Sequence, residues 1–408
     1  MARRHSPARP GWQDVCRYIP VPAVILLAHM IGGASGALEA GVVTALLGAM
    51  LAGLLWTGRI RLGRTYLAGV RVPIVCFSLV LILAFLSVMP GGGVLSSSWI
   101  ADRAGLDTLS VDPEATWAEI VKLTGLAAVF VLAHRAARHR QRAAFTLRLI
   151  AWASTLWAVW ALILYAGGAD GGGPARLGGT FVSPNVAGCM LAIGWFCWLG
   201  ASVLGVGRHR DSPPRISLAQ AIVGLVLVTA LLLTASRSSI VLTVVLSLIV
   251  VGPVLLRRAK AARALTWPRL AAGCAAAVLG LGILGQSSAG VIVRIADLAE
   301  EVENRREILR TYTGIVDQGP ALGHGLGTVP RISRLLLTPG NDAVMWNVRA
   351  THNLLLQWWI ELGLVGVTLA ALGLASLLWI VRPRSGDPWP LATPVACVSA
   401  FILLQGLV

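Results

Sequence analysis

The sequence predicts an all-α polytopic integral membrane protein with about 11 transmembrane helices, or 12 in a longer form. Two observations carry that prediction. Of 408 residues, 56% are hydrophobic and only 13% are charged, with a mean hydropathy of +0.76. Charged residues alone make up about a quarter of a soluble domain. Apolar runs also recur along the chain, at 18–38, 40–58, 72–90, 116–134, 147–167, 184–206, 216–235, 239–256, 270–286, 354–381 and 391–408. Most approach the ~20 residues that span a bilayer as helix.

The charge of the connecting segments sets the expected orientation. The net charge of +16 would suit nucleic acid if it formed one patch, but it is distributed between spans. Basic residues gather at Arg3, Arg4, Arg9 and Arg17, at Arg59, Arg61, Arg64 and Arg71, and at Arg135, Arg138, Arg140, Arg142 and Arg148. They return at Arg208, Arg210 and Arg215, at Arg257, Arg258, Lys260, Arg263 and Arg269, and at Arg382 and Arg384. The positive-inside rule makes these segments and the N-terminus cytoplasmic. A nucleic-acid partner is not expected; membrane lipids are. The basic N-terminus runs into the first span without an A-x-A cleavage site, so that span is expected to be retained. The last run reaches Val408, which suits either a terminal span or a chain that continues.

Six cysteines, Cys16, Cys76, Cys189, Cys197, Cys274 and Cys397, lie in or beside apolar runs without a C-x-x-C pair. They read as small hydrophobes, not disulfides or metal ligands. Ionisable residues inside the runs are few, chiefly His29, Glu119 and Lys122. A coupled transporter would place more of them near the midplane, together with paired broken helices.

The outward segments are unusual because arginine recurs in them. Segments 168–183, Ser236–Ser239 and 287–353 carry Arg176, Arg237, Arg294, Arg305, Arg306, Arg310, Arg331, Arg334 and Arg349. Arginine placed against the topology rule points to an anionic ligand. Arg237 is flanked by Ser236 and Ser238 in a turn only a few residues long, where serine hydroxyls add donors for phosphate oxygen; headgroup snorkelling is the plain alternative. Arg176 precedes a Gly-rich turn with Pro184 and Asn185, and Asn185 is a candidate cap for the next span.

Residues 297–316 read as an amphipathic helix whose stripe is Leu298, Val302, Leu309, Tyr312 and Val316, with Arg305 in the remaining place. Arg306 and Arg310 fall off the stripe and can pair with Glu303 and Glu307 at i,i+3. Gly323-His324-Gly325-Leu326-Gly327-Thr328 fits either a phosphate-wrapping loop or a tight turn. His352 stands where a polar loop meets a long apolar run. With Thr351 as N-cap it lies in a first helical turn, where the helix dipole favours the neutral imidazole that a general base requires. An interfacial histidine without chemistry is the alternative. No compact metal-ligand pattern is present in the sequence, so neither metal nor cofactor is expected.

The ordered blocks resemble the bacterial O-antigen ligase and polysaccharide polymerase superfamily. They are Leu177-Gly178-Gly179-Thr180-Phe181 with Pro184-Asn185, then Ala235-Ser236-Arg237-Ser238, then Asn304-Arg305-Arg306-Glu307-Ile308-Leu309. The glycine-rich block 323–328 follows, and then His352-Asn353 with Gln357 and Glu361-Leu362-Gly363. The resemblance implies a C-type membrane glycosyltransferase in the bacterial inner membrane, active at the periplasmic face. Its donor would be a glycan on undecaprenyl diphosphate, and its acceptor lipid A-core or another glycan. His352 matches the histidine that activates the acceptor hydroxyl. Arg237 and Arg305 match the diphosphate-holding arginines, with Arg306 adjacent to Arg305 in the same block and Arg176 as a further candidate. Asn353, Ser236 and Gly325 are candidate supporting residues. The expected division is a transmembrane bundle over 1–286, a periplasmic loop with amphipathic helices over 287–353, and terminal spans over 354–408. Polymerase, protein O-oligosaccharyltransferase and lipid-linked glycan flippase are the alternatives.

Overall fold

The computed structural model describes residues 20–34, 36–58, 68–91, 107–137, 140–168, 176–181, 183–202, 217–262, 303–304, 306–315, 321–346, 348, 350–351, 353–381 and 392–407. Among these the secondary structure is entirely helical. Helices α1 (Pro20–Met30), α2 (Ala37–Trp56), α3 (Arg71–Ser87), α4 (Pro113–Ala137), α5 (Arg140–Ala166), α6 (Pro184–Ser202), α7 (Leu218–Leu233) and α8 (Arg237–Ala262) come first. They are followed by α9 (306–315), α10 (Val329–Leu335), α11 (Asp342–Met345), α12 (Leu354–Val381) and α13 (Ala392–Leu407). Ten of the eleven apolar runs coincide with helices, and the run at 270–286 lies outside the described residues. Among the described residues, five helices are long and apolar enough to cross a membrane: Ala37–Trp56, Pro113–Arg135, Arg142–Ala166, Pro184–Ser202 and Leu354–Ile380. Shorter apolar helices lie at Arg71–Ser87, Leu218–Leu233, Arg237–Gly252 and Ala396–Gly406.

The helix starts have local causes. The Asp112 carboxylate accepts the Ala115 amide at 3.1 Å, and Pro113 opens α4, where a missing N–H costs nothing. Ser217 and Gln220 close a reciprocal capping box on α7. Many large side chains on these helices face outward, among them Leu126, Val244, Leu248 and Leu364, each more than half exposed. In an apolar bilayer such faces need no covering, and helices associate through close packing instead.

The chain divides into two compact units. The first holds Met1–Arg61, Gly125–Thr243 and Ser385–Val398. Small residues set its helix contacts. A Cβ on Gly194 would press on Ser154 of α5, and one on Gly224 would meet the Trp198 indole of α6. The Leu177–Phe181 block is buried at both ends. The Trp157 indole N–H donates to the Thr180 hydroxyl at 2.9 Å, Thr180 bonds the His29 carbonyl, and the Phe181 ring lies 5.1 Å from that of Trp157. This block is therefore a packing plug among α1, α5 and the turn before α6.

The second unit holds Leu62–Thr124, Val244–Arg384 and Ser399–Val408. Helix α12 packs along α3, with Gly373 against Cys76. A core of Val111, Ile308, Tyr312, Val329, Ile332 and Ile360 with their neighbours joins α9, α10 and the start of α12. On α9 the buried positions are Ile308, Tyr312 and Ile315, whereas Leu309 is 37% exposed. The expected stripe through Leu309 is thus corrected by one residue: burial follows 308, 312 and 315, and Leu298, Val302 and Val316 lie outside the described residues. Cys76, Cys189, Cys197 and Cys397 are free thiols, three of them buried.

Candidate functional site

In the first unit, the turn between α7 and α8 brings three of the sequence candidates together. Helix α7 ends at Leu233, Thr234 to Ser236 form the turn, and Arg237 is already the first residue of α8. The turn is tight enough to hold Ala235 at φ 48°, the one positive-φ residue other than glycine among those described. The Arg176 Nε donates to the Thr234 carbonyl at 3.1 Å, and its Nη2 donates to the Asn185 side-chain oxygen at 2.9 Å. The guanidinium fork therefore ties the end of α7 to the first turn of α6. Asn185 is engaged by Arg176 in this way instead of capping α6; the residue preceding that helix is Ser183, whose carbonyl receives the Val186 and Ala187 amides. Ser236 is 1% exposed and donates to the Ser239 hydroxyl at 2.9 Å, while a Cβ on Gly188 would touch both serines. Arg237 is exposed at the N-terminal end of α8, and no partner for its guanidinium is found among the described residues. Ser236 thus supports the turn, and Arg237 is the member of this group whose charge faces outward.

In the second unit, α12 begins at Leu354, and its cap is Asn353. The Asn353 side-chain oxygen accepts the amides of Leu355 and Leu356, each at 3.1 Å. Thr351, expected to be the cap, instead donates its hydroxyl to the Asn353 carbonyl at 2.8 Å and steadies the residue that does the capping. The shift has a simple cause: Asn353 reaches the second and third helical amides, which is the geometry a cap requires. His352 and Arg305 lie outside the described residues, as does Arg349. Arg306 is exposed and pairs with Glu303 at 3.3 Å, as its i,i+3 spacing anticipates.

The glycine-rich block forms a tight turn in which the His324 and Gly325 amides have main-chain acceptors. Helix α12 is broken at Gly363 (φ 65°, ψ −174°), which frees carbonyls on the turn before it. The His324 amide donates to the Ile360 carbonyl at 2.9 Å, and the Gly325 amide donates to the Glu361 carbonyl at 3.0 Å. Beyond the break, the Val365 amide donates to the Ala321 carbonyl at 3.3 Å. The His324 and Gly325 amides therefore serve the broken helix, and Gly325 supports it from the backbone.

His324 is 2% exposed. Its Nδ1 lies 3.0 Å from the Ile360 carbonyl, which can only accept, so Nδ1 carries the proton. Its Nε2 is buried without a partner among the described residues. Burial lowers the His324 pKa from its ordinary 6.5, with the Ile360 bond acting in the opposite direction. Tyr312, hydrogen-bonded to Ser333 and Val329, has its phenol pushed up to about 12 by burial.

Glu361, two residues before the break, was quoted in the motif but given no role. It is 5% exposed. Its carboxylate accepts the Gln357 side-chain amide at 3.2 Å. A carboxylate inside a 28-residue apolar helix was the signal available in the sequence.

These features define an α-helical membrane protein in which a glycine-rich loop is clasped to a broken apolar helix. Residues 222–371 match the family described as O-antigen ligase. No curated protein matches the chain in sequence.

Proposed function

We propose that the protein is an inverting membrane glycosyltransferase that moves a glycan from undecaprenyl diphosphate to a sugar hydroxyl at the periplasmic face of the bacterial inner membrane. The O-antigen ligase match over 222–371 carries this reading. That segment contains Arg237, Arg305, Arg306, Gly325, His352 and Asn353 in motif order. The proposed topology has about 11 spans with a cytoplasmic N-terminus. It comprises a bundle over 1–286, a periplasmic loop over 287–353 and terminal spans over 354–408.

His352 takes the proton of the attacking hydroxyl, and that oxygen forms a bond to the anomeric carbon. The bond from that carbon to the diphosphate oxygen breaks on the opposite side, which inverts the configuration. A lipid diphosphate is a good leaving group, so its developing charge needs stabilisation more than a general acid. Bidentate arginine contacts from Arg237 and Arg305 supply it, with Arg176 and Arg306 as neighbouring candidates. This reading uses neither a divalent cation nor a cofactor. The acceptor is lipid A-core, which makes the enzyme an O-antigen ligase.

A glycolipid profile of a deletion strain tests the proposal. Long lipid-linked chains accumulating without attachment to core are the expected result. Single unpolymerised repeats would assign the enzyme to polymerisation instead, and an unchanged profile would overturn both.

A further inference from the structure

Arg237 is exposed at the first position of α8, and its guanidinium has no partner among the described residues. Where its charge sits is therefore set by the backbone that carries it, which leaves the Thr234–Ser236 turn. That turn is held partly by its own groups. The Ala235 amide donates to the Leu232 carbonyl at 3.0 Å, and the Ser236 amide donates to the Thr234 hydroxyl at 3.2 Å. The Thr234 hydroxyl in turn donates to the Leu231 carbonyl at 2.7 Å. These bonds leave out the Thr234 carbonyl, which belongs to the peptide leading into Ala235. The orientation of that peptide sets the left-handed φ of Ala235, 48°. Turning the peptide over would relieve it, so the strained form persists only where the surroundings fix the peptide.

Arg176 supplies that constraint. Its Nε donates to the Thr234 carbonyl at 3.1 Å, and its Nη2 donates at 2.9 Å to the Asn185 side-chain oxygen, in the first turn of α6. The base of the side chain is also fixed: the Leu177 amide donates to the Leu233 carbonyl at 2.9 Å, and Leu177 is fully buried. Nε and Nη2 form one edge of the guanidinium, the edge that grips two oxygens of a phosphate when Arg binds one side-on. Here both of its donors are committed to the protein itself.

We infer that Arg176 is a positioning residue: its fork fixes the Thr234–Ala235 peptide against the first turn of α6 and so sets where Arg237 presents its charge. The catalytic consequence rests on the proposed glycan transfer, within which Arg176 moves from contact with the diphosphate to support of the residue that makes it. The hold on the turn does not rest on that reading.

The test uses the full chain in phospholipid nanodiscs, as wild type, Arg176→Ala, Asn185→Ala and the double variant. Amide hydrogen exchange without donor is read at Ala235 and Ser236, with Gln220 at the far end of α7 as the control. Transfer from a polyprenyl-diphosphate-linked glycan is read as separate kcat and KM values. In Arg176→Ala, exchange at the two turn amides rises by about tenfold while Gln220 keeps its wild-type rate. The kcat falls by about tenfold with donor KM within about twofold. Asn185→Ala removes no charge, yet it shifts exchange and kcat in the same direction by about threefold, and the double variant is no worse than Arg176→Ala. Wild-type exchange in Arg176→Ala would overturn the hold on the turn. Faster exchange with an unchanged kcat would overturn positioning. A raised donor KM in Arg176→Ala beside a wild-type kcat in Asn185→Ala would make Arg176 a direct phosphate ligand and overturn the inference. A wild type that transfers nothing would bring down the transferase reading and the catalytic half of the inference, while exchange still decides the hold. If Arg176→Ala does not reach the membrane, Asn185→Ala carries both comparisons, and no change in either overturns the inference.

Discussion

Gly323 and Gly363 approach each other so closely that neither has room for a side chain. A Cβ on Gly323 would overlap the Gly363 amide nitrogen, and one on Gly363 would overlap that of Gly323. Both glycines are also left-handed, at φ 76° and 65°. Alanine in that conformation costs about 1–2 kcal/mol, and overlap with backbone cannot be relieved by a rotamer change. Gly323→Ala and Gly363→Ala are each expected to destabilise the protein by roughly 2–4 kcal/mol, read as a lower Tm in detergent. Gly314 serves as the control: it is helical with open space around it, and Gly314→Ala should be neutral or stabilising by about 0.5–1 kcal/mol.

The Asn353 cap gives a second expectation. Asn353→Ala removes the acceptor for two first-turn amides and should cost about 1 kcal/mol, whereas Asn353→Asp keeps it and adds a charge favourable to the helix dipole. Exchange at Leu355 and Leu356 should rise in the first variant and not in the second. Equal exchange in both would assign the capping elsewhere.

These two positions show what the sequence can and cannot reveal. The helices were legible because long apolar runs mark them, and ten of the eleven runs are helical where described. The break at Gly363 was not, since a left-handed glycine leaves the hydropathy of Leu354–Val381 unchanged. The cap was misread by two residues because Thr351 and Asn353 are both good capping types, and only the reach of the side chain separates them. The α9 stripe slipped by one because Ile308 and Leu309 are adjacent and both apolar, so the partners on α10 and α12 decide which is buried. The ion pair of Arg306 was legible because i,i+3 spacing fixes it locally.

Arg176 should couple energetically to Asn185. The bond between them and the second bond to the Thr234 carbonyl use one rigid fork, which lysine does not reproduce. Single Arg176→Ala and Asn185→Ala changes are expected to be non-additive in a double-mutant cycle by about 1 kcal/mol. Full additivity would mean that the contact contributes nothing in solution.

For transfer, His352→Ala should abolish turnover while the protein still accumulates in the membrane; retained activity in a purified assay would dismiss it as the base. Arg305→Lys should lower kcat by about a hundredfold and Arg306→Lys by no more than about threefold. The difference is expected because Arg306 is 64% exposed and already paired with Glu303, an arrangement that contributes only about 0–1 kcal/mol. The reverse ranking would assign the diphosphate contact to Arg306. A chelator should leave turnover unchanged, and strong inhibition would require a cation.

His324 makes stability depend on pH with a definite sign. Its pKa is lowered in the folded protein, chiefly by burial, so on acidification the unfolded chain takes up a proton that the folded chain resists. The stabilising difference is complete above the ordinary histidine value of 6.5 and is lost progressively as pH falls below it. Protonation inside the fold would place a charge on a side chain that is only 2% exposed. Other titratable groups lie in this unit, so the contribution of His324 has to be isolated by substitution. His324→Asn keeps a donor for the Ile360 carbonyl and does not titrate. The Tm of the wild type should fall more steeply than that of His324→Asn between about pH 7 and about pH 5, whereas above about pH 7 the two curves should run parallel. Parallel curves across the whole range would show that the buried imidazole contributes nothing to acid sensitivity.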